Sequence, residues 1–162
     1  MRIKVLAWSV VTLAAVALAI WAAAYAWLFS QEDYAPKPGT LAYYVGMSSL
    51  VRHAPVANAA GAPDYFGSVG DGDKAPRSEV SYAVSPGSVD DAYASLDAYL
   101  QSRGFQPRPA EAAGMVAAAL ADGEELVRHA EYLSGSGELV VLAVSRTADP
   151  ADGYRITLTH WD

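Results

Sequence analysis

Acid–base or nucleophilic chemistry in this chain would fall first to three histidines, His53, His129 and His160, because the 162 residues include no cysteine. A hydrolase sets a nucleophile beside a base that a third group orients. No Gly-x-Ser-x-Gly elbow is present. Gly135-Ser136-Gly137 resembles a fragment of one, but it falls where a hairpin turn is expected. His129 and His160 are the residues a hydrolase would use. His129 lies on an expected strand, where an imidazole commonly serves as a half-buried ring with a wet edge, and His160 lies two residues from the end. Zinc would require ligands at a spacing such as His-x-x-x-His, which is missing. Asp64, Asp71, Gly72, Asp73 and Glu79 offer oxygen ligands without the twelve-residue calcium-loop pattern, so Gly-Asp-Gly-Asp reads as a turn. With 18 acidic residues, adjacent pairs such as Asp90-Asp91 and Glu124-Glu125 carry no weight as glycosidase carboxylates. The sequence therefore assigns no catalytic, cofactor-binding or metal-ligating residue and calls for no cofactor.

Aromatic contact is the chemistry that remains. Nine of the ten tyrosines follow residue 30. Tyr82, Tyr93 and Tyr154 fit half-buried positions on regular elements. Tyr43, Tyr44, Tyr65 and Phe66 fall in less regular sequence, and tyrosine combines a large apolar body with a polar tip. These four are the candidate partner-contact residues.

The elements that must position them begin with an apolar run. Residues 5–29 carry no charge, and Ser9 and Thr12 are their polar members. As a helix this run spans roughly 37 Å, enough to cross a hydrocarbon core of about 30 Å with some tilt. Arg2 and Lys4 precede it and Glu32 and Asp33 follow, which puts residues 1–4 in the cytoplasm and the rest outside. Trp21, Tyr25, Trp27 and Phe29 gather at the outer end, where aromatic rings favour the headgroup region. A cleaved signal peptide competes with this reading, since Ala22-Ala23-Ala24 and Ala24-Tyr25-Ala26 are small-x-small sites. A cleavable apolar region usually runs about 7–15 residues, and this one continues past both sites. Ala15, Ala19 and Ala23 form a small-residue stripe in a chain rich in alanine throughout.

Residues 30–40, with Pro36 and Pro38, read as a stiff linker, and 41–162 as an extracytoplasmic domain large enough to bury a core. Residues 41–51 suit a helix or a strand equally. Residues 52–78, punctuated by proline and glycine, read as an irregular loop, disordered at its 58–61 centre and pinned in part by Tyr65 and Phe66. Val80, Tyr82 and Val84 alternate with Ser81 and Ala83 as a half-buried strand. Ser88 fits the N-cap of a helix over about 89–103 that Gly104 ends. A short strand over 105–108, a second helix over 110–121 behind Pro109, and strands over 125–133, 139–144 and 154–159 complete an α+β domain: a mostly antiparallel sheet with helices packed on it. Periodicity also allows a helix over 125–133. The 139–144 run is apolar on both faces, so it should be an interior strand covered on both sides. With the helices on one face, residues 41–51 are the simplest cover for the other and a partner protein the next.

The net charge is −7 and the isoelectric point about 4.8, which argues against a nucleic-acid partner. Without Arg2 and Lys4, 9 basic residues face 18 acidic ones, so the domain has no polybasic surface for anionic lipid. The expectation is a non-catalytic binding or accessory module of a bacterial envelope complex. It would be held by a single transmembrane anchor in the inner membrane, with the domain in the periplasm or outside the cell and a protein partner beside it. An immunity-type inhibitor of an envelope-acting toxin, or a periplasmic hydrolase using His129 or His160, are the alternatives.

Overall fold

A computed structural model of the chain describes residues 2–29, 32–70, 74–109, 124–147 and 153–161. The apolar N-terminal run forms one helix, α1 (Arg2–Phe29). The strands are β1 (Asp33–Tyr34), β2 (Asp64–Ser68), β3 (Arg77–Val84), β4 (Gln106–Arg108), β5 (Glu125–Leu133), β6 (Leu139–Arg146) and β7 (Tyr154–Trp161). They make an open seven-stranded sheet in the order β1-β2-β3-β7-β6-β5-β4, antiparallel at every pairing. The fold is α+β. The residue 125–133 ambiguity resolves as strand, and β6 is interior, paired on both edges. The expected helix over 110–121 lies outside the described residues, as do Asp71, Gly72 and Asp73.

One face of the sheet holds the main core. Val80, Tyr82, Leu142, Ile156 and Leu158 point there and meet Leu96 and Leu100 of α4 (Val89–Ser102). These side chains recur at i, i+4 on the helix and at alternate positions on the strands, which is why each element presents one apolar stripe. Gly104 ends α4 in the left-handed region (φ +87°). Its N–H bonds the Gln101 carbonyl at 3.0 Å and that of Phe105 bonds Leu100 at 3.1 Å, the double closure that glycine at this position permits. At the other end the expected cap is corrected. Pro86–Ser88 form a 3₁₀ turn, and Ser88 sits at φ −120°, ψ 0° rather than in the extended region a capping side chain needs. Its hydroxyl takes that of Ser85 at 3.3 Å and makes no cap bond.

Residues 41–51 form two short helices, α2 (Leu41–Gly46) and α3 (Ser49–Arg52). Thr40 Oγ1 accepts the Tyr43 N–H, and Ser48 Oγ accepts that of Val51. Their placement corrects the expectation that they cover the sheet's second face. Tyr43, Met47, Leu50 and Val51 join the main core, and the Tyr99 hydroxyl of α4 donates to the Leu50 carbonyl at 2.8 Å. Both helical layers thus lie on one face, because the apolar side chains of both are met by the same strand rows. The second face carries a smaller cluster, Val141 and Ala143 with Leu126 and Trp161 against them.

The linker and the irregular segment also contribute more order than their composition implies. β1 adds an edge strand within the linker, pairing Asp33 with Ser68 and Tyr34 with Gly67. β2 lies inside 52–78, and Ala60 N–H reaches the Ala83 carbonyl at 2.8 Å, tying the 58–61 stretch to the end of β3. The Tyr34 ring explains two glycines. Its hydroxyl donates to the Gly46 carbonyl, and a Cβ on either Gly46 or Gly67 would run into the ring.

Candidate functional site

Pairing along the sheet alternates side chains between its faces, and this separates the candidate chemical groups. His129 pairs with Ala143 and shares the second face. His160 pairs with Val140 and Ser78 and lies on the core face. The two histidines a hydrolase would use are therefore on opposite sides of the sheet. His53, at the end of α3, is exposed and holds the Ser49 carbonyl at 2.7 Å through Nδ1. Among the described residues, no three His, Asp or Glu side chains gather to hold a metal ion.

His160 borders a polar recess of about 270 Å³ shared with Ser48, Ser49, Arg103, Phe105 and Glu138. Its ring meets Phe105 edge-on at 6.0 Å. Ser48 Oγ is committed to the start of α3. Hydrogen bonds from Ser136, then Ser134, hold the Glu138 carboxyl below the usual carboxylate range. Ser48 and Glu138 therefore each have a structural task in the helix or turn that carries them.

Several charges of the second face are matched to one another. Arg108 donates to Glu131 Oε2 through Nε at 2.9 Å and a terminal nitrogen at 2.8 Å, and Glu131 is wholly buried. Arg155 reaches Glu124 at 3.2 Å and Asp64 at 3.8 Å, while Ser145 donates to Glu124 and Thr159 to Glu79. These contacts neutralise the polar side chains that flank the Val141–Ala143 cluster, as burial beside apolar residues demands.

The four aromatic candidates divide. Tyr43 is buried in the core, its ring edge-on to Tyr65 at 5.0 Å and to Tyr44 at 5.5 Å. Tyr65 packs against that core, and burial first, then the Tyr43 hydroxyl, push its phenol above the ordinary tyrosine range. Phe66, one residue along β2, falls on the second face beneath the Arg77 guanidinium, 4.6 Å from its centroid. Tyr44 stands out at 57% exposure, with Arg52 over its ring at 5.9 Å. The structure thus brings Tyr43, Tyr44 and Tyr65 together, separates Phe66 from them, and leaves Tyr44 as the member that solvent reaches most freely.

Sequence reasoning missed a second feature beside Tyr44. Trp21, Ala24, Tyr25 and Trp27 of α1 meet Leu41, Ala42 and Val45 of α2 around an apolar groove. Trp21 and Tyr25 stack with centroids 5.3 Å apart. The signal was available in the outer aromatic cluster and in the apolar spacing of 41, 42 and 45, but nothing local joins the two segments. Neither a family model nor a curated protein nor a solved structure matches this chain.

Proposed function

We propose that this chain is a membrane-anchored extracytoplasmic module of the bacterial envelope that works by binding a protein partner rather than by catalysis. One observation carries the reading. The 18 residues Val10–Trp27 have a mean hydropathy of 2.0, and none of that stretch is buried within the protein. A core helix of this composition would be covered by its own fold; an uncovered one needs hydrocarbon around it. Arg2 and Lys4 favour a cytoplasmic N-terminus and an exported domain. The groove supports retention of the helix over cleavage, because Trp21, Ala24 and Tyr25 would be wholly or partly lost at either small-x-small site although they pack on α2. The domain's exposed aromatic, Tyr44 beside Arg52, is the side chain best suited to anchor a partner.

The test is a topology measurement joined to a contact measurement. A C-terminal alkaline phosphatase fusion should be active in a bacterial host, and the mature chain should keep its first residues. A mature N-terminus near Tyr25 or Trp27 would refute the anchor. Tyr44→Ala should lower partner recovery from crosslinked cells about thirtyfold or more, since interface hot spots cost about 2 kcal/mol or more, and should leave the domain folded. A folded His129→Ala or His160→Ala variant that abolishes the cellular phenotype with association intact would favour an enzyme instead.

A further inference from the structure

The α1–α2 groove lies at a depth that the anchor itself sets. A hydrocarbon core of about 30 Å accommodates about 20 helical residues. Counted from the charges Arg2 and Lys4, that length ends near Ala24. Trp21 then lies about 5 Å inside the outer boundary, while Tyr25 and Trp27 mark the headgroup region where aromatic rings settle. Leu41, Ala42 and Val45 share the groove with Trp21 and Ala24 and must stand at the same level. α2 has its faces arranged accordingly. At 100° per residue 41, 42 and 45 fall on one side, and Tyr43 points the opposite way into the core. Leu41 is 45% exposed, an arrangement that costs free energy in water and none in lipid.

We infer that α2 is an interfacial helix, and that the α1–α2 groove is filled by a lipid acyl chain of the outer leaflet, which seats the domain on the bilayer at a fixed height. The occupant is lipid rather than protein because Trp21 and Ala24, at the inner end of the groove, belong to the spanning helix at acyl-chain depth. Its lining carries no charged side chain. The excess of acidic residues in the domain makes zwitterionic lipid the favoured surface. This inference rests on the anchor reading above, and its test separates the two.

The chain has no native cysteine, so single cysteines report alone. Val16→Cys, Leu41→Cys and Asp90→Cys would each carry a fluorescent label in the full chain, in phosphatidylcholine nanodiscs. Val16 is mid-span, and Asp90, 95% exposed, opens α4. The Leu41 label should be quenched by lipids with a nitroxide near the top of the acyl chain and shielded from aqueous iodide. The Asp90 label should show the reverse, and the Val16 label should be shielded from iodide. Ala42→Cys should repeat the Leu41 result if the larger substitution loosens the groove. A Leu41 label that behaves like Asp90 while Val16 stays shielded would overturn the seat and keep the anchor. Shielding of Leu41 from both quenchers would mean that protein covers the groove, and would also overturn it. A Val16 label open to iodide would overturn anchor and seat together.

Discussion

The contact whose loss should cost most for its size is the pair between Arg108 on β4 and Glu131 on β5. The Glu131 side chain is 0% exposed and that of Arg108 33%, and both N–H···O bonds converge on one carboxylate oxygen at 2.8 and 2.9 Å. Opposite charges about 4 Å apart at an effective dielectric of 20 attract by about 4 kcal/mol, and taking the carboxylate out of water opposes that gain. The pair is therefore worth little net as a whole, yet breaking it from one side is expensive. Arg108→Met removes the guanidinium and its two hydrogen bonds to the buried carboxylate, which should cost about 2–3 kcal/mol. Lys74→Met is the matched control. Lys74 meets Glu32 at 3.7 Å with both side chains mostly in water (75% and 62% exposed), so its loss should cost at most about 1 kcal/mol. Adding Glu131→Leu to Arg108→Met should recover most of the loss, since no charge then remains buried. Urea unfolding of the full chain in mild detergent, followed by near-ultraviolet circular dichroism, measures all three. An Arg108→Met variant no less stable than Lys74→Met would refute the reasoning, as would a double variant weaker than the single one.

Two further perturbations follow from the fold. Leu142→Ala empties a fully buried position on the core face and should cost about 2–5 kcal/mol, while Ser88→Ala, which removes no cap bond, should stay within about 0.5 kcal/mol in the same unfolding assay. Gly153 combines a left-handed φ of +74° with a Cβ direction aimed at the Val84 carbonyl, so Gly153→Ala should cost about 1–3 kcal/mol; an unchanged urea midpoint would show that the turn opens without strain.

Elements whose pattern is local are legible along the chain. The apolar run of α1, the period-two alternation of β3 and β7, and the apolar stripe of α4 closed by Gly104 each state their structure within one window, because periodicity and a terminating residue suffice. The two-sided apolar character of 139–144 likewise announced an interior strand. Which surfaces meet is set by packing between distant segments. Strand order is one such matter: α4 carries the chain from β3, third in the sheet, to β4 at its far edge, and only the return of β7 beside β3 closes the gap. Short strands such as β1 and β2 are another, since two to five residues are ordered by the partner that pairs them and not by their own propensity. Tyr34 shows why composition misled there. Gly67 reads as part of an irregular loop, but it and Gly46 both leave room for one tyrosine ring. Residue type marks the aromatic candidates, while burial depends on which row of the sheet each one meets: Tyr43 turns inward, Phe66 falls on the second face, and Tyr44 stays outside. The groove between α1 and α2 is invisible in the sequence for the same reason, since its two walls are separated along the chain and only packing brings them together.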